Sequence, residues 1–498
     1  MSFDTIIIGG GLSGLTAGIA LAKAGQRVAL AAAGPSTLSY FSGSFDLLGY
    51  NAEGKAVSRP LDEIAHLPSS HPYAKIGADN VAQLAAEAHS LLAEAGLSLK
   101  GDGVNNHFRI TPMGVARPAW LSLDDCLTWE APQPPEPPNP LKGREVSSLS
   151  RSRRRVSVSQ VPSSKSQISN IKFQISNLSR RRVCQILNIE GFLDFPVEFV
   201  AHGLRQMGAQ VATQTVALNI LQTNRKSPYE TRATSIARLM DNDEILRDFA
   251  AEIKSKVSSL SRRRVSQVPS SKFQGEPEAC QGAGGVSVNG QWSMVNGQWS
   301  IVLPAVFGLN GSEPLQKLRS MMGVPVFVIA TLPPSLLGMR VQNVLRKRFV
   351  ELGGNIFHET RVTSGIISGG EVTSIASGYS ETVTADHYIL ATGSFQSHGL
   401  VADYREVREP LFSLDIDAAP SRTGWTRPAI FEPQPYMGFG VSTDSHLHPL
   451  KGATAVRNLY AVGSVLSGHN ALTQADGTGV SLITALAAAE HIKNSTRR

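Results

Sequence analysis

The sequence predicts an α/β protein built around a mainly parallel sheet whose first turn binds a nucleotide. Three observations carry this reading, and they occur in chain order. A strand, a glycine turn and a helix open the chain. A later strand ends in Ala391-Thr392-Gly393, and another near the C-terminus ends in Gly463-Ser464. Together they predict a Rossmann-like flavoprotein fold of the two-dinucleotide-binding type, with an inserted α+β cap domain.

The opening strand is Phe3-Asp4-Thr5-Ile6-Ile7-Ile8, followed at once by Gly9-Gly10-Gly11-Leu12-Ser13-Gly14. Each glycine has a reason to be there. Gly9 permits the tight turn, Gly11 lets the backbone approach a pyrophosphate, and Gly14 lets helix and strand pack closely. The helix over 15–24 then aims free N–H groups and a partial positive charge at the phosphate. The second strand, Arg27-Val28-Ala29-Leu30, should end in an acid that binds an adenosine ribose. It ends instead in Ala31-Ala32-Ala33-Gly34, and no acid lies between Asp4 and Asp46. Two readings stay open: adenosine held by backbone groups alone, or a mononucleotide such as FMN.

The next elements alternate strand and helix. Helices are predicted over 81–95 and 196–207, and strands over 183–189, 301–304 and 326–330. Ser335 caps a helix with Val341, Leu345 and Phe349 on its core face and Arg340, Arg346, Lys347 and Arg348 elsewhere. Gly353-Gly354 ends it. Residues 355–358, 365–367 and 372–376 read as antiparallel strands of the cap. The chain then returns through 385–393 to the nucleotide domain. Near the C-terminus, Ser464 stands where flavoproteins of this type usually carry an acid for the ribityl chain; a hydroxyl offers one uncharged hydrogen bond. The domains are therefore 1–60 (flavin-binding), 61–384 (cap and substrate) and 385–498 (flavin-binding). Candidate cofactor contacts are Gly9, Gly10, Gly11, Leu12, Ser13, Gly14, Gly393, Gly463 and Ser464.

Two segments stand apart from this pattern. VSSLSRSRRRVSVSQVPSSK at 146–165 recurs as VSSLSRRRVSQVPSSK at 257–272. Near-identical copies at irregular spacing do not build a solenoid. Their Ser, Arg and Gln richness predicts disorder, so 131–182 and 257–299 are read as low-complexity insertions in surface loops. They also explain the charge. The net charge is +7, but the stretch from Lys142 to Val183 holds eleven basic residues against one acid, leaving the rest net negative. That distribution argues against a nucleic-acid face. The three cysteines, Cys126, Cys184 and Cys280, have no metal-ligand or redox spacing, so no metal site is expected. No apolar run reaches the ~18 residues of a membrane span, and no signal peptide is evident, so a cytoplasmic location is expected.

The chain resembles the B subunits of the anaerobic glycerol-3-phosphate dehydrogenases nearly end to end, apart from the insertions. The resemblance rests on the 9–14 turn, Phe41-Ser42-Gly43-Ser44-Phe45-Asp46, His71-Pro72-Tyr73, and Arg109-Ile110-Thr111-Pro112-Met113-Gly114. It extends to Gly191-Phe192-Leu193-Asp194-Phe195, Thr331-Leu332-Pro333-Pro334-Ser335, and Arg408-Glu409-Pro410. It implies a flavoprotein subunit with FMN as cofactor, FAD being the alternative. It also implies oxidation of sn-glycerol 3-phosphate to dihydroxyacetone phosphate. The implied partners are a second flavin subunit and an iron–sulfur, membrane-associated subunit that passes electrons to quinone. This chain would then sit peripherally at the inner membrane.

Such a reaction needs Arg for a phosphate ester and a base, of which His is the best suited near neutral pH. His398, His469, Arg340 and Arg408 are candidates, none singled out by spacing, and no catalytic residue is assigned. An electron-relay or scaffolding subunit, or a flavin enzyme of another substrate, are the competing readings.

Overall fold

The computed structural model describes residues 3–129, 182–218, 232–265, 299–378, 382–429 and 432–496. The opening strand β1 (Phe3–Ile8) sits in the middle of a five-stranded parallel sheet, where an Ile-rich run buried on both faces is stable. On one side it pairs with β2 (Val28–Ala32), and β2 with Asn355–His358. On the other it pairs with Ala385–Leu390, which pairs with Leu459–Ala461. Helix α1 (Leu12–Lys23) packs against the helix Leu336–Glu351 and against the C-terminal helix Gly477–Thr496.

One boundary differs from the sequence reading. Asn355–His358 is not an antiparallel cap strand but the parallel edge of the nucleotide sheet. The helix Leu336–Glu351, which packs on α1, leads into it from the other sheet, so this helix–strand stretch lies with the nucleotide sheet rather than with 61–384. Short length and weak alternation disguise an edge strand of this kind. The antiparallel strands that follow, Val362–Ser368, Glu371–Ser377 and Thr382–Val383, form a three-stranded meander.

The second main sheet is four-stranded, in the order Gln210–Val216, Val183–Ile189, Trp299–Pro304, Val326–Ile329. All its pairs are parallel, and Val197–Gln206 supplies a crossover. Besides the meander, the antiparallel pairing expected of the cap comes from short strands between residues 44 and 129.

The repetitive segments are bounded by ordered structure. Arg182 donates to the Thr128 carbonyl at 2.7 Å, and its guanidinium lies 4.5 Å from the Trp129 ring centroid. The chain therefore leaves and rejoins the fold at one point, a geometry that tolerates insertion. The expected second insertion begins too early at 257. The helix Asp243–Val265 runs into it, and Val257 is buried. The rest of both segments, Cys280 included, lies outside the described residues.

Ser335 caps its helix by accepting the Gly338 N–H, and Val341, Leu345 and Phe349 are buried as expected. Arg340 departs from its expected place. It is buried, paired with the buried Asp125, and donates to the carbonyls of Gly308 and Phe307. It is a structural cation, not a substrate contact. Arg340→Met would leave Asp125 with Arg319 at 3.7 Å as its remaining ion-pair partner. We expect a loss of about 3 kcal/mol in denaturant unfolding, with cofactor content unchanged in the surviving folded protein.

Burial, with Lys100 and Arg109 nearby, pulls the His107 imidazole down to about 4 from its ordinary 6.5. Between those values the unfolded chain takes up a proton that the folded one refuses. Stability therefore falls as pH drops through this window. His107→Gln should flatten that decline in thermal midpoints measured from about pH 7 to pH 4.

Candidate functional site

β1 ends at Ile8, and the chain turns through Gly9–Gly11 into α1. Gly9 has φ +124° and donates its N–H to the Ala31 carbonyl at 2.9 Å; a Cβ here would collide with the carbonyl of Ala391. A Cβ on Gly14 would collide with the Gly9 carbonyl. These two contacts seat the helix on the strand end. Gly11 is different: a Cβ there would meet only the Ser36 Cβ, at 3.8 Å. It faces open space. Gly11 is the N-cap of α1, with no side chain capping it and no acid in the first turn. The helix start is thus an uncompensated positive end facing a hollow.

That hollow is a cavity of about 500 Å³. Its walls follow the sheet order. Thr360–Thr363 come after the edge strand Asn355–His358, and Ala33–Thr37 after β2. Gly9–Ser13 come after β1, Ala391–Gly393 after the fourth strand, and Val462 with Ser464 after the fifth. The cavity therefore crosses the carboxyl ends of all five strands. Four strand spacings of about 4.8 Å give a span of roughly 19 Å. Thr392, in its wall, holds a buried Oγ1 with no protein partner among the described residues. An open cradle at Gly11, a helix start without an acid and an orphaned hydroxyl fit a phosphate-bearing flavin.

Of the expected contacts, Gly9, Gly10, Gly11, Leu12, Ser13, Gly393 and Ser464 line this cavity. Gly14 and Gly463 do not. Gly14 lies behind the turn, against Gly9. Gly463, at φ +75°, packs on Ser13 and donates its N–H to Thr484 Oγ1 at 2.9 Å. Both shape the wall without forming it. After the second strand, where a ribose acid was looked for, the wall carries Ala33, with Ser36, Thr37 and Arg361 among its polar residues.

The histidine candidates separate. His398 lines the cavity in a left-handed conformation, φ +61°. His469 does not line it. It is buried in the loop that joins Ser464 to the C-terminal helix, and its Nδ1 bonds Asp476 Oδ1 at 3.3 Å. The other Asp476 oxygen bonds His71 Nε2 at 3.0 Å. Burial alone would push the Asp476 carboxyl up, but the two imidazoles outweigh it and hold the carboxyl well below the ordinary range. Arg408 is exposed and stands outside the cavity wall, although Pro410 and Leu411 two and three residues on belong to it. Sequence reasoning missed Asp476 and the chemical role of His71. They are 405 positions apart, so no local spacing could have joined them.

A family model for the FAD binding domain matches residues 4–480. Fold, cavity and match define a flavin-binding oxidoreductase. The chain is 37% identical over 498 residues to the B subunit of the anaerobic glycerol-3-phosphate dehydrogenase of Yersinia enterocolitica, covering 99% of this chain and 98% of the relative. The corresponding protein of Yersinia pseudotuberculosis is 36% identical with the same coverage. That of Pectobacterium atrosepticum is 34% identical over 496 residues, covering 99% of each chain. The chain belongs to the family of anaerobic glycerol-3-phosphate dehydrogenase B subunits. Among the described residues, no helix is long and apolar enough to cross a membrane, and no His, Cys, Asp or Glu cluster could hold a metal.

Gly11→Ala would put a Cβ into the cradle that meets only the Ser36 Cβ, at 3.8 Å. We expect the folded variant to lose about tenfold or more in flavin affinity, read as flavin per chain after gel filtration.

Proposed function

We propose that this chain is an FAD-binding subunit of a dehydrogenase that oxidises sn-glycerol 3-phosphate to dihydroxyacetone phosphate, electrons leaving for quinone through partner subunits. The names of its relatives support the substrate and the existence of partners. In this reading one partner carries a second flavin and another carries iron–sulfur centres at the membrane.

The observation that carries the cofactor assignment is the cavity's width. FMN has one phosphate and no adenosine. With its phosphate at the central turn, it would use only the half of the cavity leading to Gly393 and Ser464. The other half, from Ala33 to Thr363, suits an adenosine. FAD therefore fits better than the FMN implied by the sequence resemblance. The absent ribose acid then means that hydroxyl and backbone groups near Ser36 and Thr360 hold the adenosine.

A bound flavin supplies the hydride acceptor. The chain's own residues do the rest. Gly9, Gly10 and Gly11 keep side chains away from the pyrophosphate, and the start of α1 offsets its charge. Ser13, Thr392, Gly393 and Ser464 line the path towards the ring end, and Leu12 limits water there.

Heat-released cofactor from the purified protein should have the mass of FAD. FMN would overturn the dinucleotide reading. Protein without any flavin would favour a scaffolding role.

A further inference from the structure

We infer that Arg109 and Arg117 bind the phosphate of the substrate, with Asp46 beside them accepting from one of its hydroxyls. The ligand class is a small hydroxylated phosphate monoester. The inference deepens the dehydrogenase reading, rests on it, and puts the substrate's phosphate on this chain.

A phosphate ester calls for a guanidinium with unused donors. Arg340 has none to spare, being committed to Asp125 and two carbonyls. Arg109 is in the opposite state. It is only 9% exposed, yet its Nε has no partner among the described residues. Its counter-charge is Asp46, whose Oδ2 lies 4.0 Å from Nη2, too far for a hydrogen bond. Asp46 Oδ1 is also buried and without a partner. Burial pulls the Arg109 guanidinium down from its ordinary value and pushes the Asp46 carboxyl up. Buried charged groups left open in this way carry their desolvation cost until a further group answers them.

Arg117 adds a second cation. The strands His107–Ile110 and Ala116–Ala119 pair antiparallel, with Arg109 directly opposite Arg117. Opposed partners share a face, and like charges there repel. Arg117 is half-buried, donates to the Leu472 carbonyl at 3.0 Å and lies 5.6 Å from the Tyr50 ring centroid. Asp46 thus faces two guanidinium groups, and the cluster lacks a negative charge. An anion between the two forks supplies it. Asp46, when ionised, can only accept. A ligand that carries a hydroxyl as well as a phosphate therefore satisfies every open group.

The cluster is reachable. The side chains of Arg109 and Asp46 keep 10% and 16% exposure, so water touches both, and Arg117 and Tyr50 are half-open beside them. The 4.0 Å gap is one that a bridging oxygen spans. The place also borders the flavin trough. Asp46 accepts at its backbone carbonyl from the Gly479 N–H at 2.7 Å, and Ser481, two residues further on, lines the cavity with Ser464. A phosphate held at Arg109 and Arg117 therefore leaves the rest of a short substrate pointing past Asp46 towards the ring end.

The test uses the assembled dehydrogenase carrying Arg117→Gln or Arg109→Lys, the latter keeping the charge but not the fork. Each should raise KM for glycerol 3-phosphate about tenfold to a hundredfold, with kcat and flavin content largely kept. Inorganic phosphate should inhibit the wild-type complex competitively, and its inhibition constant should rise in parallel. A wild-type KM and unchanged phosphate inhibition in Arg117→Gln would overturn the inference while leaving the dehydrogenase reading intact. The half-buried Arg117 decides the matter should Arg109→Lys fail to fold. A wild-type complex that does not oxidise glycerol 3-phosphate would overturn the dehydrogenase reading itself. The anion site is then judged by thermal midpoints in inorganic phosphate: a rise in the wild type that Arg117→Gln loses supports it, and equal midpoints with and without phosphate overturn it.

Discussion

The contact of Gly14 on the Gly9 carbonyl, with Gly9 itself pressed against the Ala391 carbonyl, is the constraint from which the rest of the site follows. A side chain at either position would lift α1 away from the strand end. Because the helix is held so close, its N-terminus opens onto the cavity rather than past it. The same close packing continues along α1. A Cβ on Gly18 would lie 2.9 Å from the Phe349 ring, so the helix Leu336–Glu351 rests directly on α1 and brings Asn355–His358 to the sheet edge. That edge strand supplies the far wall of the cavity.

The cavity is therefore a consequence of sheet topology. Strands from three distant parts of the chain end side by side, and the turns after them form a trough that favours one extended, phosphate-bearing ligand. The loop between Ser464 and the helix Gly477–Thr496 returns from the trough into the interior, where Asp476 draws His71 and His469 together. The nucleotide trough and the buried cluster of His71, Asp476 and His469 are thus joined through the start of the C-terminal helix.

Much of this was legible in the sequence because it is local. The first strand, its glycine turn and the two later strand ends announce themselves through runs of apolar and small residues, and seven of the nine expected contacts line the cavity. What failed was non-local. Arg340 looks like a surface cation on a helix, and only the tertiary fold brings Asp125 to it. Asn355–His358 is too short for its partner strand to be read from periodicity. The triad that joins residue 71 to residues 469 and 476 has no spacing at all. The width of the cavity, which separates FAD from FMN, emerges only when five strand ends stand in order.

The most direct measurement is an experimental structure of the purified protein with its native cofactor. We expect a pyrophosphate within hydrogen-bonding distance of the N–H groups at residues 11–13, with adenine between Ala33 and Thr363. A flavin seated elsewhere, or one whose density stops at the glycine turn, would contradict this arrangement.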